Sequence, residues 1–185
     1  ANYVEATSPL WRDQRLVGFR VLDCEKPTST PIALYAHKTI VCAGPWTDIV
    51  GQKLQQQWKP WLMPSRGAHL GFDLKKFPVA GAIVMTHPSD GRIAFMIPRP
   101  DLGGGVCIVG TTDGPAPHNP EDVEVSKADV DYLMNLLRIY FPQLNLTQKD
   151  ILSAYVGVRP LMAAMEDQKD ESILTEKDFQ SEDVL

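Results

Sequence analysis

Gly81-Ala82-Ile83-Val84-Met85-Thr86-His87-Pro88-Ser89-Asp90-Gly91-Arg92-Ile93-Ala94-Phe95-Met96-Ile97 decides how this chain folds. Two apolar runs, Gly81 to His87 and Gly91 to Ile97, flank Pro88-Ser89-Asp90-Gly91, whose residue types favour a tight turn. The pattern predicts an antiparallel hairpin. Before it, Arg66 to Asp73 reads as another strand, and after it so does Gly105 to Gly110, with Gly103-Gly104-Gly105 as a flexible turn. From Ser126 the apolar period becomes helical: Val130, Leu133, Met134, Leu137, Tyr140 and Phe141 fall on one face. Ser126 and Asp129 have the spacing of a capping box, and Pro142 stops the helix. Thr147 and Asp150 repeat the cap signal for a single turn, after which Ile151 to Pro160 returns to a strand-like run.

Upstream, the first 45 residues read as a three-stranded meander: Ala1 to Ala6, Leu16 to Cys24 and Leu34 to Ala43, with Arg12 to Arg15 and Glu25 to Pro31 as turns. His37 to Ala43 is almost wholly apolar after Lys38, as in a strand buried on both faces. Thr47 is placed to cap a short helix through Ile49, Val50 and Leu54. The Pro- and Trp-bearing connection Trp58 to Pro64 marks a boundary between residues 1–57 and 58–165, and the class is α+β with a largely antiparallel sheet.

With 185 residues, 44% of them hydrophobic, the chain can bury a sizeable core, which excludes disorder as the main reading. Eighteen Lys and Arg against 23 Asp and Glu give a net charge of −5, a poor match to a phosphate backbone, so nucleic acid is excluded as a partner. The longest apolar or Gly/Pro stretch, Pro78 to Met85, is far short of the roughly 20 residues of a spanning helix. No signal-peptide pattern opens the chain at Ala1. Cys24, Cys42 and Cys107 lack the spacing of a redox pair or zinc site and sit in apolar runs, which reads as core duty in a reducing compartment. Glu166 to Leu185 carries eight acids and two bases and reads as a solvated loop or linker.

Few residues invite chemistry. His37, His87 and His118 read as surface or turn histidines, and no metal site is expected, since none has a second ligand at the required spacing. His69 follows Arg66-Gly67-Ala68 at the start of a strand, where it either serves structure or faces a cleft. Arg159 ends the run Tyr155-Val156-Gly157-Val158, and a half-buried Arg with no acid nearby in sequence calls for an anion, either a substrate or a structural carboxylate. The sequence contains no GxSxG, no GxxxxGK[ST] and no GxGxxG.

The order of motifs adds more. Val41-Cys42-Ala43-Gly44-Pro45-Trp46, Arg66-Gly67-Ala68-His69, Asp90-Gly91-Arg92-Ile93-Ala94-Phe95-Met96-Ile97-Pro98, Ile108-Val109-Gly110-Thr111-Thr112-Asp113 and Gly157-Val158-Arg159-Pro160-Leu161 succeed one another at characteristic separations. Together they resemble the central part of the FAD-dependent glycerol-3-phosphate dehydrogenases, members of the D-amino-acid-oxidase-like flavoprotein superfamily. The resemblance implies part of an FAD-binding Rossmann-like domain in residues 1–57, a substrate domain with a mixed, largely antiparallel sheet and helices on one face in 58–165, and an acidic linker in 166–185.

It also implies roles. Ala43, Gly44, Pro45 and Trp46 would lie against the flavin, and Val4 would meet the adenine through its backbone. His69 and Arg159 would be catalytic residues in the pocket for a phosphorylated polyol. The implied reaction oxidises sn-glycerol 3-phosphate to dihydroxyacetone phosphate, with hydride passing to FAD and electrons to quinone, in the cytoplasm or peripheral to the inner membrane. The family's GxGxxG and its Gly-Gly-Lys segment are not in this sequence, which implies a chain that binds FAD weakly or not at all and is inert by itself. Ala68 replaces a usual Ser, Arg99 a frequent Trp, and Glu176 a usual Arg, with Lys177 beside it. Two other readings stay open: a flavin oxidase of amines or hydroxy acids, and a non-catalytic binding domain of the same fold.

Overall fold

The computed structural model describes residues 2–26, 28–77 and 79–163; the acidic segment 166–185, with Glu176 and Lys177, lies outside them. Strands β1 (Val4–Arg12), β2 (Arg15–Asp23) and β3 (Ile32–Tyr35) form an antiparallel meander. Its first turn is tighter than the expected Arg12 to Arg15: only Asp13 and Gln14 turn, both left-handed at φ 49° and 63°. A two-residue loop of that hand matches the twist of its strands, so β1 runs on through Pro9 and Trp11. Pro9 is tolerated because β1 is an edge strand.

The expected third strand through Ala43 is shorter. β3 stops at Tyr35, and residues 37–43 pair with no strand among the described residues, leaving Ile40 87% exposed. An apolar run becomes a buried strand only when neighbours supply its ladder and cover both faces. Cys42 is exposed for the same reason, and Cys24, in the turn after β2, is exposed too; of the three cysteines only Cys107 has the core position expected.

A 3-10 turn at Gly44–Trp46 leads into helix α1 (Thr47–Leu54). Thr47 does not cap it: its hydroxyl donates back to the Gly44 carbonyl at 2.7 Å. Asp48 instead anchors the segment. It is buried and accepts from Trp58 Nε1 (3.0 Å) and from the backbone N–H groups of Trp61 (2.9 Å) and Leu62 (3.0 Å). Burial alone would raise this carboxyl's pKa; the three donors hold it below the usual range. The Trp58 to Pro64 connection is thus fastened to α1.

The six-stranded sheet comprises β4 (Ser65–Asp73), β5 (Ile83–Thr86), β6 (Ile93–Arg99), β7 (Val106–Gly110), β8 (Gly114–Pro115) and β9 (Ile151–Arg159). The β5–β6 hairpin forms as expected, closed by hydrogen bonds between His87 and Arg92 and between Gly91 and His87. Central β4 pairs with β7 and β8 along one edge and with β9 along the other, all antiparallel. Helix α2 (Lys127–Tyr140) opens with the expected capping box, Ser126 with Asp129, and covers one face. Leu133, Met134, Leu136 and Leu137 pack there on Leu70, Phe72, Met85, Met96 and Val109, all essentially inaccessible. His87 does turn duty through Ser89 but is buried, not on the surface, because its ring stacks on Tyr132 of α2 at 4.1 Å.

Candidate functional site

Strand pleating sends alternate side chains of β4 to opposite faces. Ala68, Leu70 and Phe72 enter the core under α2, so Gly67, His69 and Gly71 face the other way. Register then places Gly110 of β7 and Tyr155 of β9 on either side of His69. The imidazole stacks on Tyr155 with centroids 4.8 Å apart and 7° between planes. A Cβ at Gly110 would overlap the His69 ring, so only glycine lets the ring lie there. Across this face, Phe95 and Ile97 of β6 and Val84 of β5 are exposed. The result is an open, apolar sheet face with one imidazole at its centre.

Nδ1 of His69 is buried without a hydrogen-bond partner among the described residues. Burial, and then the positive charge of Arg159, hold the His69 pKa below the ordinary 6.5. The ring is therefore neutral at neutral pH and able to accept a proton. The same shift makes a stability prediction. The folded protein resists protonation more than the unfolded chain, so the contribution is complete above pH 6.5 and is lost as pH falls through 6.5 toward the folded value. Urea midpoints measured between about pH 8 and about pH 5 should fall less steeply for His69→Gln than for the parent protein. Equal slopes would show that His69 is not desolvated.

Arg159 ends β9, opposite Ser65. Its guanidinium lies across Gly67, where any Cβ would overlap Arg159 Nη2 and Thr111 Oγ1. Nη1 donates to Ser65 Oγ at 3.3 Å and to Asp113 Oδ1 at 3.2 Å; Nη2 donates to Thr111 Oγ1 at 2.9 Å and to the Thr112 carbonyl at 3.3 Å. The anion that the sequence calls for is thus, here, Asp113. Arg66, the basic residue next to His69 in sequence, points to the opposite face and pairs with Asp129 of α2 at 2.5 Å.

The structure brings His69 and Arg159 onto one face, near enough for the guanidinium to depress the imidazole's proton affinity. The Gly44–Trp46 turn comes within 8 Å of β9, Cα to Cα. Gly44 is left-handed at φ 53°, and a Cβ there would meet nothing within 4 Å, so its backbone borders open space. Trp46 is exposed beside it, whereas Val4 sits in the meander, paired with Asp23. Tyr155, Thr111, Asp113, Gly67 and Gly110 were not singled out as site residues from sequence. Their spacing along the chain gives no sign of convergence, although Gly110 to Asp113 lie within one of the motifs quoted above. A separate concavity, lined by Arg12, Arg15, Tyr35 and His37, touches none of these residues.

Residues 3–175 match the family model described as FAD dependent oxidoreductase. An aerobic glycerol-3-phosphate dehydrogenase of Bacillus subtilis is 34% identical over 177 residues, 96% of this chain and 30% of that protein. One from Staphylococcus aureus is 34% identical over 167 residues, covering 90% and 28%. The chain thus spans about 30% of the length of the curated relatives it matches. Among solved structures, the glycerol-3-phosphate dehydrogenase of Bacillus halodurans complexed with FAD superposes with a TM-score of 0.78 at 32% identity, over 88% of this chain and 32% of that one. An L-proline dehydrogenase from P. horikoshii shares the fold, with a TM-score of 0.59 at 14% identity over 84% and 37%. The family model matches nearly the whole chain, and relatives 34% identical to it align over most of its length: the chain belongs to the FAD-dependent oxidoreductase family.

Proposed function

We propose that these residues form the central, substrate-side part of a flavin-dependent dehydrogenase that oxidises sn-glycerol 3-phosphate to dihydroxyacetone phosphate. The observation that carries this reading is the pairing of a fixed guanidinium with a neutral imidazole on one open apolar face. Residues 1–57 belong to the FAD-binding side and 58–165 to the substrate side. The open backbone at Gly44 fits a flavin, which Ala43, Gly44, Pro45 and Trp46 would hold, with Val4 at its adenine end. When bound, FAD supplies the hydride acceptor. Arg159 orients the substrate through its phosphate or the alkoxide that develops at C2, using the fork geometry that suits such oxygens. His69 takes the C2 hydroxyl proton at Nε2, since Nδ1 is buried.

Electrons leave for a quinone, and the protein works in the cytoplasm, peripheral to the inner membrane through parts beyond this chain. Among the described residues no helix is long and apolar enough to cross a membrane. The chain by itself is inert and holds FAD weakly, because a turn and one strand end give few contacts to the cofactor's phosphates.

The visible absorbance of the purified chain, before and after incubation with FAD and desalting, tests the last point. A colourless protein is the expected result; retained flavin would overturn the claim of weak binding. A substrate series on the full-length enzyme tests the reaction. Turnover of sarcosine or an amino acid with none of glycerol 3-phosphate would overturn it.

A further inference from the structure

We propose that Asp113 is a displaceable counter-ion of Arg159, which a dianionic phosphate replaces on binding and which thereby sets the preference of the site for phosphate over carboxylate. The inference rests on the reading of Arg159 as the substrate's anion ligand. Three neutral groups fix the guanidinium: Ser65 Oγ, Thr111 Oγ1 and the Thr112 carbonyl. Among the described residues, Asp113 is the one charged partner of the guanidinium, and it is the most easily removed. The pair is 3.2 Å long with the two side chains 36% and 49% exposed, a geometry in which ion pairs contribute little to stability.

The backbone of Asp113 is held independently. Arg92 Nη1 donates to its carbonyl at 2.7 Å, so the carboxylate can swing into solvent while the loop stays in place. With Asp113 gone, the neutral anchors keep the guanidinium lying over Gly67. An incoming carboxylate only exchanges one negative charge for another and gains little. A phosphate dianion brings twice the charge to the Nη1 position that Asp113 vacates, and outcompetes the resident carboxylate. Asp113 is thus a specificity residue, acting through Arg159 and not on the reacting atoms.

The test uses the full-length enzyme with Asp113→Asn, Asp113→Ser and Arg159→Ala, each checked for an unchanged melting profile. KM and kcat for sn-glycerol 3-phosphate are measured separately, together with inhibition constants for inorganic phosphate and D-glycerate. Removing the charge should lower KM and the phosphate inhibition constant by about 3- to 10-fold, tighten D-glycerate more than phosphate, and leave kcat within about twofold. Unchanged or weaker binding in both Asp113 variants overturns the proposal, as does a roughly tenfold fall in kcat at constant KM. Arg159→Ala separates the two levels of argument. If it abolishes phosphate inhibition while the Asp113 variants change nothing, only the counter-ion role fails. If phosphate inhibition survives it, the reading of Arg159 fails as well.

Discussion

Arg159→Ala in the full-length enzyme is expected to lower kcat/KM for sn-glycerol 3-phosphate by about 30- to 1000-fold, equivalent to about 2–4 kcal/mol of lost transition-state stabilisation. The fold should scarcely notice. The deleted side chain lies on the open face, its ion pair with Asp113 is half exposed, and Asp113 returns to water when released. A catalytic loss without a matching loss of stability is therefore the signature to look for. Arg159→Lys should recover only part of the rate, because an ammonium with three hydrogens cannot engage Ser65, Thr111, the Thr112 carbonyl and a substrate oxygen at once. Kinetics unchanged in the alanine variant would remove Arg159 from the site and leave the imidazole without a substrate anchor.

The elements legible in sequence are those whose signals are local. Pro88 to Gly91 specifies the hairpin through the residues of the turn itself, and Ser126 with Asp129 specifies the start of α2 through atoms three residues apart. Leu136, fully buried but absent from the expected helical face, shows that the apolar stripe of a helix packed on a sheet is wider than one strict row. Residues 37–43 misled because an apolar run carries no information about whether partner strands are at hand. His69 and Arg159 were legible as isolated chemistry and through the order of motifs. Their setting was not: Arg159 meets Thr111 across 48 positions of sequence, and His69 meets Tyr155 only through the register of β4 with β9. The glycines of Arg66-Gly67-Ala68-His69 and Val109-Gly110-Thr111 make sense only once a guanidinium and an imidazole are seen lying over them.

Asp129→Ala should produce the largest loss of stability, about 3–5 kcal/mol, since it strips the partner from a largely buried ion pair and removes a helix cap together. Asp129 is 7% exposed and carries four jobs. It accepts from Arg66 Nη1 at 2.5 Å, from the Ser126 backbone at 2.9 Å and hydroxyl at 2.6 Å, and from Thr112 Oγ1 at 2.8 Å. Burial would raise its pKa, but Arg66 and these hydroxyl and amide donors hold the carboxyl at about 2. Its contribution is therefore whole above pH 3.8 and is lost as the pH falls from there toward 2, which fixes neutral pH as the condition for measuring the variant. The damage should reach the site. Thr112 Oγ1 accepts from the Ala68 backbone at 2.9 Å, next to His69, and the Thr112 carbonyl accepts from Arg159. Asp129 thus ties α2 to β4 and to the loop that holds the guanidinium. Urea unfolding followed by tryptophan fluorescence should show the full drop for Asp129→Ala, and a smaller one for Asp129→Asn, which fills the same space and keeps one acceptor oxygen, enough for Thr112 on Oδ1 or for Ser126 on Oδ2 but not for both, and leaves Arg66 without a counter-charge. Equal, small losses in both variants would mean that the network is an ordinary surface cap and that the Arg66 pair adds nothing to the junction of helix and sheet.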